Sequence, residues 1–149
     1  MNVAVIFTEK KKIALKNTAM PDPGEGELLI KSLCTLISTG TELSVLSGDH
    51  ETESIWGDIS KFPFEPGYNH IGRVVAVGPM TDSQWIGKRV ASSGKHTAYI
   101  VKKTEEIKPI TRDEIPDEHA VFFTTAEIVM NGVRKSRLCW GESVIVYGL

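Results

Sequence analysis

Long apolar runs are missing from this chain of 149 residues. No stretch reaches the roughly 18 residues of a bilayer-spanning helix, so a membrane protein is not expected. The apolar residues 3–7 at the N-terminus are too few for a secretory core, and the lysines follow them instead of preceding them. Cysteine is scarce as well. Cys34 and Cys139 are the only two, and neither has a Cys or His at ligand spacing. A disulfide framework and a zinc finger are both excluded, and a reduced, cytoplasmic protein is expected. Charge of one sign is lacking too: 17 Lys plus Arg stand against 19 Asp plus Glu, a net charge of -2. That balance gives no footprint for nucleic acid or for an anionic membrane. The one basic run, Lys10-Lys11-Lys12, reads as a solvated hairpin tip. No Ser-His-Asp order with a nucleophile elbow occurs, and no carboxylate pair stands out.

The composition itself is ordinary, with 41% hydrophobic and 24% charged residues, so the chain can bury about 70% of its unfolded surface without staples. Its first two thirds are punctuated like a β-protein. Residues 3–8 and 13–17 predict a hairpin, and the Pro and Gly of residues 21–26 predict turns. Residues 27–36 predict a longer strand, with Leu28, Ile30, Ser32 and Cys34 on one face and Leu29 and Leu33 on the other; Cys34 is read as a packing residue. A loop at 37–42 opens one helical turn. Residues 47–64 form a surface excursion carrying Trp56, Phe62 and Phe64, and strands are expected at 69–77, 88–92 and 96–102. From Asp117, an expected N-cap, apolar residues recur at helical spacing through Val133 and end in basic Arg134, Lys135 and Arg137. The β-branched run 143–148 then predicts a buried parallel strand.

The motifs Ile37-Ser38-Thr39-Gly40-Thr41-Glu42, Pro66-Gly67-Tyr68-Asn69-His70-Ile71-Gly72, Gly87-Lys88-Arg89-Val90 and His96-Thr97-Ala98-Tyr99 occur in an order that resembles the medium-chain dehydrogenase/reductase family. That family contains zinc alcohol dehydrogenases and zinc-free quinone oxidoreductases. The resemblance implies a mainly β fold: a GroES-like, partly open β-barrel at residues 1–116 as the catalytic domain. It implies a crossover helix and the first strand of an incomplete NAD(P)-binding Rossmann domain at 117–149. Gly148 would be the first glycine of the dinucleotide fingerprint.

In zinc members, a Cys in the first loop, a His after Pro-Gly and a Cys or acid in the crossover helix hold the catalytic metal. Those positions fall at about Thr39, Tyr68 and near Thr125, and the acid that usually follows the His is Asn69. The segment between Val90 and His96 lacks the cysteines of a structural zinc lobe. The resemblance therefore implies a zinc-independent member with no metal site. Carbonyl polarisation falls to Tyr68, Thr39 and Thr41, with the two threonines also candidates for the nicotinamide ribose; the structural alternatives are a packing role for Tyr68 and loop-ordering and capping roles for Thr39 and Thr41. His70 has a structural and a functional reading, the structural one favoured. His50, His96 and His119 are read as surface residues, and Glu127 as solvent-exposed.

The expected function is the N-terminal catalytic part of an NAD(P)-dependent oxidoreductase acting on a small carbonyl, alcohol or quinone/enone. By itself the chain is expected to bind NAD(P)H poorly and to be inactive. A homo-oligomer through an exposed C-terminal strand is expected at high concentration. The alternative is a non-catalytic GroES-like assembly module.

Overall fold

A computed structural model describes residues 1–49 and 61–147 of the chain. The described elements are β1 (Asn2–Glu9), β2 (Lys12–Thr18), β3 (Glu27–Thr35), α1 (Thr41–Ser47), β4 (His70–Val77), β5 (Arg89–Ser92), β6 (Tyr99–Lys103), β7 (Ile107–Pro109), α2 (Asp117–Ala120) and α3 (Phe123–Ser136). β1 and β2 make the expected antiparallel hairpin. Its tip is solvated, and Lys10 and Lys11 reach Asp49 at 2.7 and 3.4 Å. The other five strands form one antiparallel sheet in the order β6-β3-β4-β5-β7. The sheet curls round to meet the hairpin. The Val5 N–H donates to the His96 carbonyl and the Ala98 N–H to that of Val3, both at 2.8 Å, while the Ser32 N–H donates to Ala98 at 2.9 Å. Phe7 and Phe64 exchange backbone hydrogen bonds, with ring centroids 6.0 Å apart. The result is the mainly β, partly open barrel expected from the sequence.

Strand alternation gives this sheet two different faces. Leu28, Ile30, Val74, Val90, Ile100 and Ile107 fill the barrel interior. Ile71, Ala91 and Val121, with Cys34, Leu36, Ile110 and Phe123 packed on them, fill the opposite side beneath the helices. Burying each such aliphatic side chain is worth about 1.5–3 kcal/mol. Cys34 departs from the expected face. Register irregularities at Leu29/Ile30 and Ser32/Cys34 insert a bulge, so Ser32 stays with the interior and Cys34 turns to the helix side. There burial pushes its thiol pKa up, with the charges of Asp117 and Glu118 adding to the effect. Leu33 is left largely exposed.

The C-terminal region differs most from expectation. The helix breaks at Val121–Phe122 into α2 and α3. Val121 is buried, but Phe122, Ile128, Val129 and Val133 are exposed, because no described residue covers that stripe. Pro116, not Asp117, is the N-cap of α2. Asp117 instead forms an ion pair with Arg89 of β5 at 2.8 Å, and Arg89 also donates to the Ile115 carbonyl, so α2 is clamped to the sheet. Residues 143–147 carry no regular secondary structure. A strand is defined by its ladder, and here no described strand pairs with that run. β7 has no counterpart in the sequence reading. His50, Trp56 and most of the 47–64 excursion lie outside the described residues, as does Gly148.

Candidate functional site

Two backbone constraints bring the Thr39 loop and the Pro-Gly motif together. The Leu36 N–H donates to the Asn69 carbonyl at 3.1 Å, fixing the exit of β3 against the approach to β4. Gly67 has φ +113, where a Cβ would lie 2.5 Å from the backbone nitrogen of His96, so only glycine allows the chain to pass there. Past this turn, alternation divides the motif between the two faces. His70 and Gly72 point to the interior, while Asn69 and Ile71 point toward α2 and α3.

On that helix side lies a cleft of about 340 Å3, lined by Leu36, Ile37, Ser38, Thr39, Asn69, Phe122 and Thr125. Three separate segments converge on it. Thr39 stands at about, and Thr125 near, two of the three positions where the resemblance implies metal ligands in zinc members. Asn69, and not Tyr68, comes from the Pro-Gly motif. Tyr68 is half-buried and does not line this cleft, and neither does Thr41, whose N–H donates to the Ser38 hydroxyl oxygen at 3.3 Å. Of the catalytic candidates Tyr68, Thr39 and Thr41, all among the described residues, Thr39 alone lines the cleft.

Asn69 is completely buried, and among the described residues neither its Nδ2 nor its Oδ1 has a hydrogen-bonding partner. The sequence marked it only as the residue standing where the resembled family usually carries an acid, not as a site residue. His70, also fully buried, bridges three strands. Ser32 Oγ donates to the Thr97 carbonyl, so the same oxygen accepts from His70 Nε2–H at 2.9 Å, and Nδ1 accepts from the Ser92 hydroxyl at 2.9 Å. Burial pushes the His70 pKa down to about 4, with the Lys102 charge adding to the effect. The imidazole is neutral at pH 7, and both nitrogens are used inside the barrel.

His96 corrects the surface reading. Its Nε2 meets Glu42 Oε1 at 2.8 Å, both side chains are buried, and Glu42 Oε2 accepts the Ser38 N–H at 2.6 Å. The two residues lie 54 positions apart, and no local pattern links them. The pair also borders an apolar cavity of about 290 Å3 walled by Val5, Phe7, Ile13, Ile37, Leu43 and Leu46. His119 and Glu127 are exposed, as expected.

The cleft's donors, two threonine hydroxyls, a serine and a carboxamide, do not fit zinc, which takes thiolate, imidazole or carboxylate ligands. Among the described residues no three His, Cys, Asp or Glu side chains converge as a metal site. Nor do the described residues form a glycine-rich turn into a long helix, the usual cradle for a dinucleotide pyrophosphate. No helix is long and apolar enough to cross a membrane, among the described residues.

No protein-family model matches the chain, and no curated protein sequence does. Solved structures do. Human synaptic vesicle membrane protein VAT-1 homolog-like protein is 28% identical with a TM-score of 0.65, covering 89% of this chain and 44% of its own. A Sinorhizobium meliloti 1021 protein assigned as an alcohol dehydrogenase is 26% identical with a TM-score of 0.73, covering 95% and 48%. A short chain alcohol dehydrogenase from Escherichia coli CFT073, complexed with NADH, is 17% identical with a TM-score of 0.76, covering 91% and 46%. The chain thus spans about half the length of these structures. Its curled sheet and these likenesses give the chain the fold of the GroES-like half of alcohol dehydrogenases and quinone oxidoreductases, in keeping with the resemblance of its motif order to the medium-chain dehydrogenase/reductase family.

Proposed function

We propose that the chain is the substrate-binding half of an NAD(P)-dependent oxidoreductase acting on a carbonyl, alcohol or quinone/enone. In this reading residues 1–116 form the catalytic domain, and 117–149 lead into the dinucleotide-binding domain, with Gly148 at its first turn. The observation that carries it is the convergence of Thr39, Asn69 and Thr125, from three segments, on one cleft. The nicotinamide cofactor supplies or accepts the hydride when bound. This chain's residues bind and orient the substrate oxygen. Hydroxyls and a carboxamide can donate to that oxygen as it gains negative charge, without a metal. Leu36, Ile37 and Phe122 line the apolar part of the cleft. A cytoplasmic setting agrees with the free thiols of Cys34 and Cys139.

The test uses the full product of the encoding gene with NADH and NADPH, against aldehydes, ketones and quinones. Turnover is expected with at least one class. Replacing both cleft threonines (Thr39→Val with Thr125→Val) should lower kcat/KM about 10²-fold, the usual effect of losing an oxyanion donor. Undiminished turnover in that variant, or none in the parent with any substrate, defeats the reading.

A further inference from the structure

Asn69 differs from the other polar groups of the cleft in being fixed. Threonine and serine hydroxyls rotate to donate or accept as a ligand requires. The backbone that carries the Asn69 carboxamide is held on both sides. Its own carbonyl accepts the Leu36 N–H, and the next residue is locked between Ser32 and Ser92. The side chain is wholly buried, it lies on the helix side of the sheet, and its donor and acceptor both lack partners among the described residues. A buried amide left in that condition is costly unless a ligand completes it.

We propose that Asn69 determines specificity in the cleft, selecting ligands with a hydrogen-bond acceptor and donor on adjacent carbons: α-hydroxy carbonyls and the vicinal diols they form on reduction. This rests on the proposed oxidoreductase reading. Nδ2–H donates to the carbonyl oxygen while Oδ1 accepts from the neighbouring hydroxyl. A simple ketone satisfies only Nδ2 and leaves Oδ1 buried without a partner, so it is rejected.

The test compares hydroxyacetone with butanone, which replaces the hydroxyl by a methyl group at equal size. In the full-length protein, the ratio of kcat/KM for the two should be about 10²-fold higher than in Asn69→Leu. The variant is the reference because hydroxyacetone is intrinsically the more electrophilic ketone. Asn69→Leu should fold normally, with a urea midpoint at or above the parent's, since it removes an unpaired buried amide. Equal ratios in parent and variant overturn the assignment of Asn69 while leaving the oxidoreductase reading intact. Absence of turnover with every substrate defeats that reading instead. Binding then decides the inference through the Asn69 side-chain amide signals in ¹⁵N-labelled chain. Saturable shifts with hydroxyacetone and none with butanone support it, and any other pattern overturns it.

Discussion

His70 carries its ring nitrogens into a fully buried site between two serines, and this makes it a sensor of acid. In the folded chain its pKa falls from 6.5 to about 4. Between these values the unfolded chain binds a proton there that the folded chain refuses. Stability therefore rises with pH across that window and is lost as pH falls through it. The full loss, below about pH 4, is about 3 kcal/mol at 1.36 kcal/mol per pKa unit. Urea midpoints measured from pH 7 to pH 4 should show this slope, and His70→Gln should flatten it. A slope unchanged by that substitution would place the acid sensitivity elsewhere. Gly72 and Gly94 belong to the same site. A Cβ on Gly94 would lie 2.9 Å from the His70 ring, which explains two small residues around one large one.

At the scale of elements, α1 is joined to the barrel through Glu42. Its carboxylate holds the Ser38 N–H at one oxygen and His96 at the other, tying the Thr39 loop to the segment that bridges β1 and β3. Removing one partner leaves the other buried without compensation, so Glu42→Leu should cost about 3 kcal/mol. The Glu42→Leu, His96→Leu double variant should cost less than the sum of the single ones. Additive losses in urea unfolding would show that the pair is not coupled. The sequence reading missed this contact for a physical reason. Turns, caps and alternation act within a few residues, and they placed most of the strands to within a residue or two. Glu42 with His96, and Asn69 with Thr125, meet only once the sheet has curled. Local signals also erred where tertiary contacts intervened: the bulge at Ser32/Cys34 reversed a face, and Arg89 drew Asp117 away from a capping role. The motif order carried the family where single residues could not, and it singled out Thr39 and the neighbourhood of Thr125. From the Pro-Gly motif it is Asn69 that lines the cleft, one position beyond the Tyr68 that the motif order pointed to.

For the whole molecule, stability is concentrated in the barrel. α3 contributes no buried residue, and Trp140, Ile145 and Tyr147 are almost fully exposed. Deleting residues 138–149 should therefore change the unfolding free energy from urea titration by less than about 0.5 kcal/mol, the usual range for surface changes. The same apolar residues should draw copies together. The intact chain is expected to sediment as heavier species at rising concentration, and the deleted chain as a monomer. Identical sedimentation of the two would remove the C-terminal region from any role in self-association. The alternation through β4 has a further consequence, for laboratory evolution. Positions 69 and 70 are neighbours in the chain but look out on opposite sides of one sheet. A library varied at 39, 69 and 125 would explore new ligands at nearly constant robustness. The same effort spent at 32, 70 and 92 would recover only better or worse folders, all with an unaltered appetite for substrate.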